Sequence, residues 1–284
     1  DVLHSPRLLE LKKRRNHALW GKIFLLVAIV LVIFATLVYI SRLEHLNIDE
    51  VIVSGNKVVE AEKIKEIVES EISGHYIWIF PKTNIVLYPR DKIKERLMDT
   101  FKRLENIRLT TKNDRTLEIA VIERESHSTW CGLESPTTQA GNEKCYFVDK
   151  NGFIFALAPY ISGEVYFKFY GAIYGSGEPV GSSILSGNFD RLISFNNSLI
   201  DMGLKPVALY TKDSQEIKLY LSKGKLSILG PEIIFSIDSD LQRLSENLQT
   251  AISTEPLMSN FKNKYSSLEY IDLRLGNKVY YRFK

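Results

Sequence analysis

The stretch IFLLVAIVLVIFATLVYI, residues 23–40, divides the chain into a short basic head and a long, nearly neutral body. Its 18 residues contain only Thr36 and Tyr39 as polar interruptions. At a rise of about 1.5 Å per residue, a helix of this length can cross the hydrocarbon core of a bilayer. A cleaved signal peptide is the alternative, but its apolar region spans roughly 7–15 residues and ends at small residues, which the sequence after Tyr39 lacks. We therefore predict an uncleaved transmembrane helix over residues 23–40.

The charges around this run predict its orientation. Residues 1–22 carry six basic and two acidic side chains, a net charge of +4, whereas the whole chain has a formal net charge of +3. Because positive charge beside a first membrane helix stays in the cytoplasm, residues 1–22 are predicted to be a cytoplasmic tail and the body to lie outside the cell membrane. The body carries a net charge of about −1, so it has no surplus of basic residues for a nucleic-acid-binding face.

Residues 46–124 carry the signals of a small α+β unit. A β-branched run at 48–53 precedes two segments whose apolar residues recur at helical spacing. The first predicted helix ends at Gly74, and the second begins after Pro89. Two alternating strands then flank the turn signal Asn113-Asp114. The order strand, helix, helix, strand, strand predicts a small sheet with both helices packed on one face.

Residues 125–284 are predicted to be mostly β-structure. Asp149-Lys150-Asn151-Gly152 indicates a hairpin turn. Further strands are predicted at 164–170, 205–211, 215–221, 225–229, 268–275 and 278–283. The sequence therefore predicts a β-rich domain with helices on one side of an antiparallel sheet.

Two amphipathic helices interrupt these strands. One is stopped by Gly203, and the other begins at Ser239 as its predicted N-cap. Residues 171–188 are interpreted as a long Gly/Ser-rich loop, and residues 231–238 as a link into the last helix. The apolar stripes of the two helices are Leu192, Phe195, Leu199 and Met202, and Leu241, Leu244, Leu248 and Ala251.

Several local motifs, and the order in which they follow one another along the chain, resemble the FtsQ/DivIB family of bacterial cell-division proteins. The most specific is Tyr270-Ile271-Asp272-Leu273-Arg274, which resembles the ending of that family. Val51-x-Val53-x-Gly55-Asn56 resembles the opening of a POTRA domain. The resemblance covers nearly the whole chain and implies a POTRA domain over 46–124 and an FtsQ-type β-domain over 125–284.

The resemblance also implies a function. Proteins of this kind are non-enzymatic scaffolds of the division septum, anchored in the bacterial cell membrane, with FtsB/DivIC-like and FtsL-like partners. Consistent with this, no histidine or serine lies in a catalytic motif, and no motif indicates a cofactor, a metal or a small-molecule substrate. The alternative is a POTRA-containing envelope protein that receives peptides in protein translocation or sensing.

The last predicted strand, 278–283, is the candidate partner-binding element. Nothing downstream can pair with its far side, and an unpaired strand edge is a template for another chain. The alternative is that its basic residues prevent edge pairing. The resemblance implies that this edge binds the FtsB/DivIC-like partner, and that Arg274 offers a bidentate donor to a partner carboxylate. The candidate partner-binding residues are Arg274, Leu275, Lys278, Tyr280, Tyr281, Arg282 and Phe283.

Cys131 and Cys145 are the only cysteines. An even pair on the outer side of a membrane predicts a disulfide, which would stabilise the fold by about 3 kcal/mol, and two free thiols are the alternative. A metal site would need further ligands at suitable spacing.

The segment YIWIFP at 76–81 is strongly apolar. We interpret it as a buried connection between the two helices of the first unit, with a partner-binding groove as the alternative.

Overall fold

A computed structural model of the chain describes residues 6–113, 115–137, 143–161, 163–175, 177–185, 187–211, 215–223 and 229–284. These residues form two units, the first ending at Glu123 and the second beginning at Arg124. The structure is α+β, as predicted, with an apolar helix near the N-terminus and a large sheet in the second unit.

The apolar run lies within one long helix, α1 (Pro6–Ser41). Within its segment Leu19–Ser41, the most apolar 18 residues have a mean hydropathy of 3.2, and none of them is buried against the rest of the described chain. Among the described residues it is the one helix long and apolar enough to cross a membrane. By length and composition, this helix could be a membrane anchor or a signal sequence.

The first unit contains the predicted order of strand, two helices and two strands. Its elements are β1 (Glu50–Ser54), α2 (Ala61–Ile72), β2 (His75–Tyr76), β3 (Phe80–Pro81), α3 (Arg90–Thr100), β4 (Leu104–Lys112) and β5 (Thr116–Glu123). The sheet order is β1-β5-β4, with β1 parallel and β4 antiparallel to the central β5. Both helices contribute fully buried residues to a single core: Ile64, Val68, Ile93 and Leu97 pack with Leu117 and Ile119.

The interpretation of residues 76–81 as a buried connection is wrong. They form the short β2–β3 ribbon, and the side chains of Ile77 and Trp78 at its tip are 81% and 94% exposed. The sequence did not reveal this exposure, because a short apolar run has the same composition and no distinguishing period whether it is a buried segment or an exposed turn.

Glu123, at the end of β5, fastens the loop after β1. Its carboxylate is buried and accepts hydrogen bonds from the backbone N–H groups of Lys57, Val58 and Val59 at 2.7–2.9 Å. Burial by itself would raise the pKa of this carboxyl, but the three backbone donors outweigh burial and hold the pKa below its usual 4.5. The ionised carboxylate therefore stabilises this loop.

Removing this carboxylate by Glu123→Ala is expected to lower the free energy of unfolding by roughly 1–3 kcal/mol, because three backbone N–H donors lose their charged acceptor. Since the folded pKa is depressed, the contribution is present above the unfolded pKa and disappears as the pH falls through the folded value. Urea unfolding of both proteins over a range of pH measures the difference. Glu118→Ala, on the opposite face of the same strand, is the control; an equal loss in both variants would contradict the assignment.

The second unit is built around nine strands in one sheet. Its elements are β6 (Ser128–Trp130), β7 (Tyr146–Val148), β8 (Ile154–Leu157), β9 (Phe167–Gly171), β10 (Ile173–Tyr174), β11 (Ser183–Ile184), α4 (Phe189–Asp201), β12 (Pro206–Thr211), β13 (Glu216–Leu221), β14 (Glu232–Ser236), α5 (Leu241–Ile252), α6 (Leu257–Lys264), β15 (Leu268–Asp272) and β16 (Tyr280–Phe283). The strand order is β16-β15-β14-β13-β12-β9-β6-β7-β8. The separate ribbon β10–β11 lies in the segment predicted to be a loop.

The sheet is mixed, so the prediction of an antiparallel sheet is wrong. Three neighbouring pairs are parallel: β6 with β9, β9 with β12, and β14 with β15. Parallel neighbours need a crossover connection, and the helices provide two of the three. Helix α4 lies between β9 and β12 in the chain, and helices α5 and α6 lie between β14 and β15.

Strand β14 is the main element that the sequence did not predict, because residues 231–238 were interpreted as a link. It lies between β13 and β15, and its Ile233 and Phe235 side chains are fully buried. A short apolar run in the middle of a sheet lacks the polar alternation that marks a half-exposed strand. Helix α6 was also not predicted, and residues 225–228 of the predicted strand 225–229 lie outside the described residues.

The two predicted helices of this unit are confirmed and pack on one face of the sheet. Phe195 of α4 lies against Phe235 of β14, with ring centroids 4.9 Å apart. Leu248 of α5 is fully buried in the same core. Helix α5 begins one residue later than predicted: its N-cap is Asp240, whose side chain accepts a hydrogen bond from the N–H of Arg243. This core holds the C-terminal strands in place.

Candidate binding edge at the carboxyl terminus

Strand β16 is the last strand of the sheet on one side. It pairs with β15 in antiparallel register, with Arg282 opposite Tyr270 and Tyr281 opposite Ile271. Within the described ranges, no strand pairs with its other side. The strand predicted at 278–283 is therefore present, beginning at Tyr280, and it is an edge strand.

The backbone groups that face outward from β16 follow from its pairing. The N–H of Lys284 donates to the carbonyl of Ser267, on the β15 side. Successive residues of a strand direct their N–H and C=O groups to opposite edges, so Tyr280 and Arg282 also bond toward β15. The groups of Tyr281 and Phe283 consequently point away from the sheet.

The opposite edge of the sheet, at β8, is covered. The N–H of Ile154 donates to the carbonyl of Ser182, and the carbonyl of Ile154 accepts from the N–H of Gly181. Phe153 and Ser183 form an additional bridge. The two ends of one sheet therefore differ: the chain covers the start of β8 with its own backbone, whereas no strand in the described part of the chain covers the outer backbone groups of β16.

The side chains of β16 lie on both faces. Tyr281 and Phe283 are half-buried against the main core, and their rings meet edge to face at 5.8 Å between centroids. Tyr280 and Arg282 are exposed on the opposite face, where Arg282 Nε lies 3.0 Å from the carboxylate of Glu269 on β15. Lys278 lies just before the strand and is exposed. One face thus fixes the strand to the core, and the other offers charged and aromatic groups.

Arg274 is engaged within the chain. Its Nε and Nη2 donate to the carboxylate of Asp272 at 2.9 and 2.6 Å, and its Nη1 donates to Glu216 at 2.6 Å. The bidentate pairing predicted with a partner carboxylate is therefore already made with Asp272. A partner would meet the remaining N–H groups of Arg274, together with the neighbouring Leu275, whose side chain is 58% exposed.

These contacts join two strands near the open edge, β15 and β13, across the strand β14 that lies between them. Asp272 ends β15, directly opposite Tyr280 of β16, while Glu216 begins β13. The hydrogen bonds from Arg274 hold the pKa of Asp272 below its usual value, although burial opposes this shift. The same carboxylate raises the pKa of Arg274, so the pair is ionised over the whole physiological range.

The ion pair predicts a pH-dependent stability. Because the folded pKa of Asp272 is depressed, its contribution is complete above the unfolded pKa near 3.8 and is lost as the pH falls through the folded value. Asp272→Asn should therefore lower the free energy of unfolding by roughly 1–3 kcal/mol at neutral pH and by much less in acid. Urea unfolding of the detergent-solubilised chain at both pH values tests this; a cost that does not change with pH would contradict it.

Cys131 and Cys145 lie opposite each other across two neighbouring strands. Trp130 of β6 pairs with Tyr146 of β7, so the next residues outward, Cys131 and Cys145, also face each other, with Cα atoms 4.1 Å apart. They are joined by a disulfide in the structure. The sheet register alone brings the two cysteines together.

A third potential metal ligand lies beside these cysteines, which the sequence spacing did not indicate. Ligand atoms of Glu143 and both sulfurs lie within 4.8 Å of one another. The carboxylate already accepts a hydrogen bond from the hydroxyl of Tyr170 at 2.7 Å. In the disulfide neither sulfur is a thiolate, the form that binds metals, so this group is not a metal site while the disulfide is present.

The disulfide predicts that native protein contains no alkylatable thiol. Iodoacetamide should label neither cysteine before reduction and both afterwards, as read by mass spectrometry. Reduction should lower the stability of the second unit by about 3 kcal/mol in the chain-entropy model. Two labelled cysteines in unreduced, folded protein would contradict this prediction.

A cavity of about 450 Å³ lies near these cysteines, on the sheet face opposite α4 and α5. Lys168, Tyr170 and Glu143 contribute polar groups to its wall. The Tyr170 hydroxyl donates to Glu143, and Lys168 Nζ lies 3.9 Å from the same carboxylate. Burial, together with this carboxylate, raises the pKa of Tyr170 far above its usual value, so the hydroxyl stays protonated. These groups satisfy one another and do not form a nucleophile–base pair.

No protein-family model matches this chain, and no curated protein matches it significantly.

Proposed function

We propose that this protein is a non-enzymatic, membrane-anchored scaffold of the bacterial division machinery, which binds a partner by strand addition at β16. The observation that carries the proposal is the asymmetry of the nine-stranded sheet. Backbone bonds from residues 181–183 cover the start of the β8 edge, while Tyr281 and Phe283 direct their backbone groups away from the sheet. An open edge held firmly on a core is the surface that strand addition requires.

The open edge provides both affinity and selectivity. An added strand would bond to the outward N–H and C=O groups of Tyr281 and Phe283, and these main-chain bonds supply affinity without regard to sequence. Alternate side chains of the partner would lie beside Tyr280 and Arg282 on one face and beside the half-buried rings on the other. Lys278 and Lys284 are exposed basic residues at the two ends of this rim, and Arg282 is paired with Glu269, so an acidic partner segment would meet the two lysines.

The identity of the partner comes from the resemblance to the FtsQ/DivIB family. On that basis the partner is FtsB/DivIC-like, with an FtsL-like protein in the same assembly, and the first unit is a POTRA domain. Helix α1 is the anchor, its basic head lies in the cytoplasm, and both units lie outside the cell membrane at the septum. The role of the protein is to gather its partners at the membrane during septum formation.

Two variants of one residue test the edge directly. Tyr281→Pro removes an outward N–H without touching the bonds to β15, and proline is tolerated at such positions of edge strands. Tyr281→Ala removes the same ring but keeps the N–H, so it is the matched control. Because one lost hydrogen bond costs about 1–3 kcal/mol, partner binding by the proline variant should be roughly tenfold weaker than by the alanine variant.

The measurement is co-purification of full-length variants from host membranes, with recovered proteins identified by mass spectrometry. Division proteins that are recovered with the alanine variant and lost with the proline variant support strand addition. Equal recovery with both variants would overturn the mechanism. Recovery of outer-membrane precursors, unchanged after deletion of residues 276–284, would instead indicate a peptide-receiving envelope protein.

A further inference from the structure

The tip of the β2–β3 ribbon carries two exposed apolar side chains in an unfavourable backbone conformation. Ile77 and Trp78 have φ angles of 49° and 65°, and the N–H of Ile79 donates to the carbonyl of Tyr76 across the turn. Turns with two such central residues favour Asn-Gly, and a β-branched residue in this region is a rare outlier. Strain of this kind is often found at sites that interact with another molecule.

The ribbon lies against the apolar helix, within its potential membrane span. The ring of Phe80 meets the ring of Phe34 edge to face, with centroids 5.9 Å apart. Phe34 lies seven residues before Ser41, the end of the span, which corresponds to about 10 Å along the helix axis. If α1 crosses a bilayer up to Ser41, then Phe80 lies at the level of the outer lipid layer.

Hydrogen bonds fix this arrangement. The guanidinium of Arg42 donates to the carbonyl of Ile79 at 3.2 Å. The amide of Asn84 donates to the carbonyl of Ser41 at 3.1 Å, and Asn47 donates to the same carbonyl at 3.2 Å. The ribbon and the segment after it are therefore fastened to the last turn of α1.

A second exposed apolar pair follows the ribbon. Val86 and Leu87 are 80% and 40% exposed, and they lie two and three residues after Asn84, which is bonded to the end of α1. Basic side chains flank the apolar tip, since Arg42 bonds to Ile79 and Lys82 Nζ lies 5.8 Å from the ring of Tyr76. Tryptophan, tyrosine and basic residues beside an apolar surface are the composition of a membrane interface.

We propose that Ile77 and Trp78 insert into the outer surface of the bilayer that holds α1, so that the β2–β3 ribbon is a second contact with phospholipid. The proposal rests on the anchoring role of α1 given above. The consequence concerns the orientation of the first unit relative to the membrane. A single helix can rotate and tilt in the bilayer and carry the unit with it, whereas contact through both the helix and the ribbon fixes that orientation.

Tryptophan fluorescence in nanodiscs tests this with the full-length chain. The protein has Trp20, Trp78 and Trp130, and Trp130 is buried in the second unit. The Trp20→Phe variant reports Trp78, the Trp78→Phe variant reports Trp20, and the double variant gives the background from Trp130. Each is measured in nanodiscs of ordinary phosphatidylcholine, in nanodiscs whose acyl chains are brominated near the headgroup, and with iodide in the water.

We expect brominated lipid to quench Trp78, and iodide to leave it unquenched. Trp20, at the other end of the span, serves as the internal reference for anchoring. If Trp20 is quenched by brominated lipid and Trp78 only by iodide, the ribbon faces water and is available to a protein partner, which overturns the inference while anchoring stands. If neither is quenched by brominated lipid, both the anchoring and the inference fail.

A hairpin-preserving variant separates lipid contact from folding. Ile77→Asn/Trp78→Gly installs the residues that such turns favour, so the ribbon should fold at least as well as in the original chain. Hydrogen exchange in nanodiscs should then show faster exchange across residues 75–82 in this variant than in the original chain, because the bilayer no longer covers the tip. Equal protection in the two proteins would overturn the proposal.

Discussion

An open β-sheet has two outer strands whose backbone groups need a partner, and the second unit of this protein treats its two edges differently. At β8, the backbones of residues 181, 182 and 184 bond to Gly152 and Ile154, so the chain covers the start of that edge. At β16, the backbone groups of Tyr281 and Phe283 point away from the sheet, and no strand among the described residues pairs with them. Each unpaired backbone group is a potential hydrogen bond, which makes this edge the place where affinity for another chain is concentrated.

The rest of the unit keeps that edge straight and firmly held. The parallel neighbours β14 and β15 require a crossover, which α5 and α6 provide, and α5 packs on the same core as α4. Tyr281 and Phe283 rest on this core from the edge strand. Arg274 adds a polar clamp, because its guanidinium joins Asp272 at the end of β15 to Glu216 at the start of β13. An edge supported in this way need not become ordered on binding, which lowers the entropic cost of adding a strand.

The first unit performs a different task, since it joins the body to the apolar helix. Asn47 and Asn84 bond to the carbonyl of Ser41, and Arg42 bonds to the ribbon that carries Ile77 and Trp78. The proposed binding edge and the proposed membrane contact thus lie on separate units of one chain. This separation suits the proposed scaffold, which would hold a partner and a membrane at the same time.

The sequence by itself determined the apolar helix, the strand–helix–helix–strand–strand order of the first unit, the two amphipathic helices of the second and the last strand, because each has a local signal of composition or period. The tertiary structure decided the features that depend on residues distant in sequence, namely strand pairing, exposure and long-range contacts. Strand β14 has no alternation to reveal it, the parallel pairings follow from the crossovers, and Arg274 meets Glu216 only because β13 and β15 flank β14. Likewise, YIWIFP has the composition of a core segment, and only the tertiary structure shows that Ile77 and Trp78 are exposed at the tip of the β2–β3 ribbon. Local patterns depend on the residue and its near neighbours in the chain, whereas exposure and strand partners depend on residues far away in sequence.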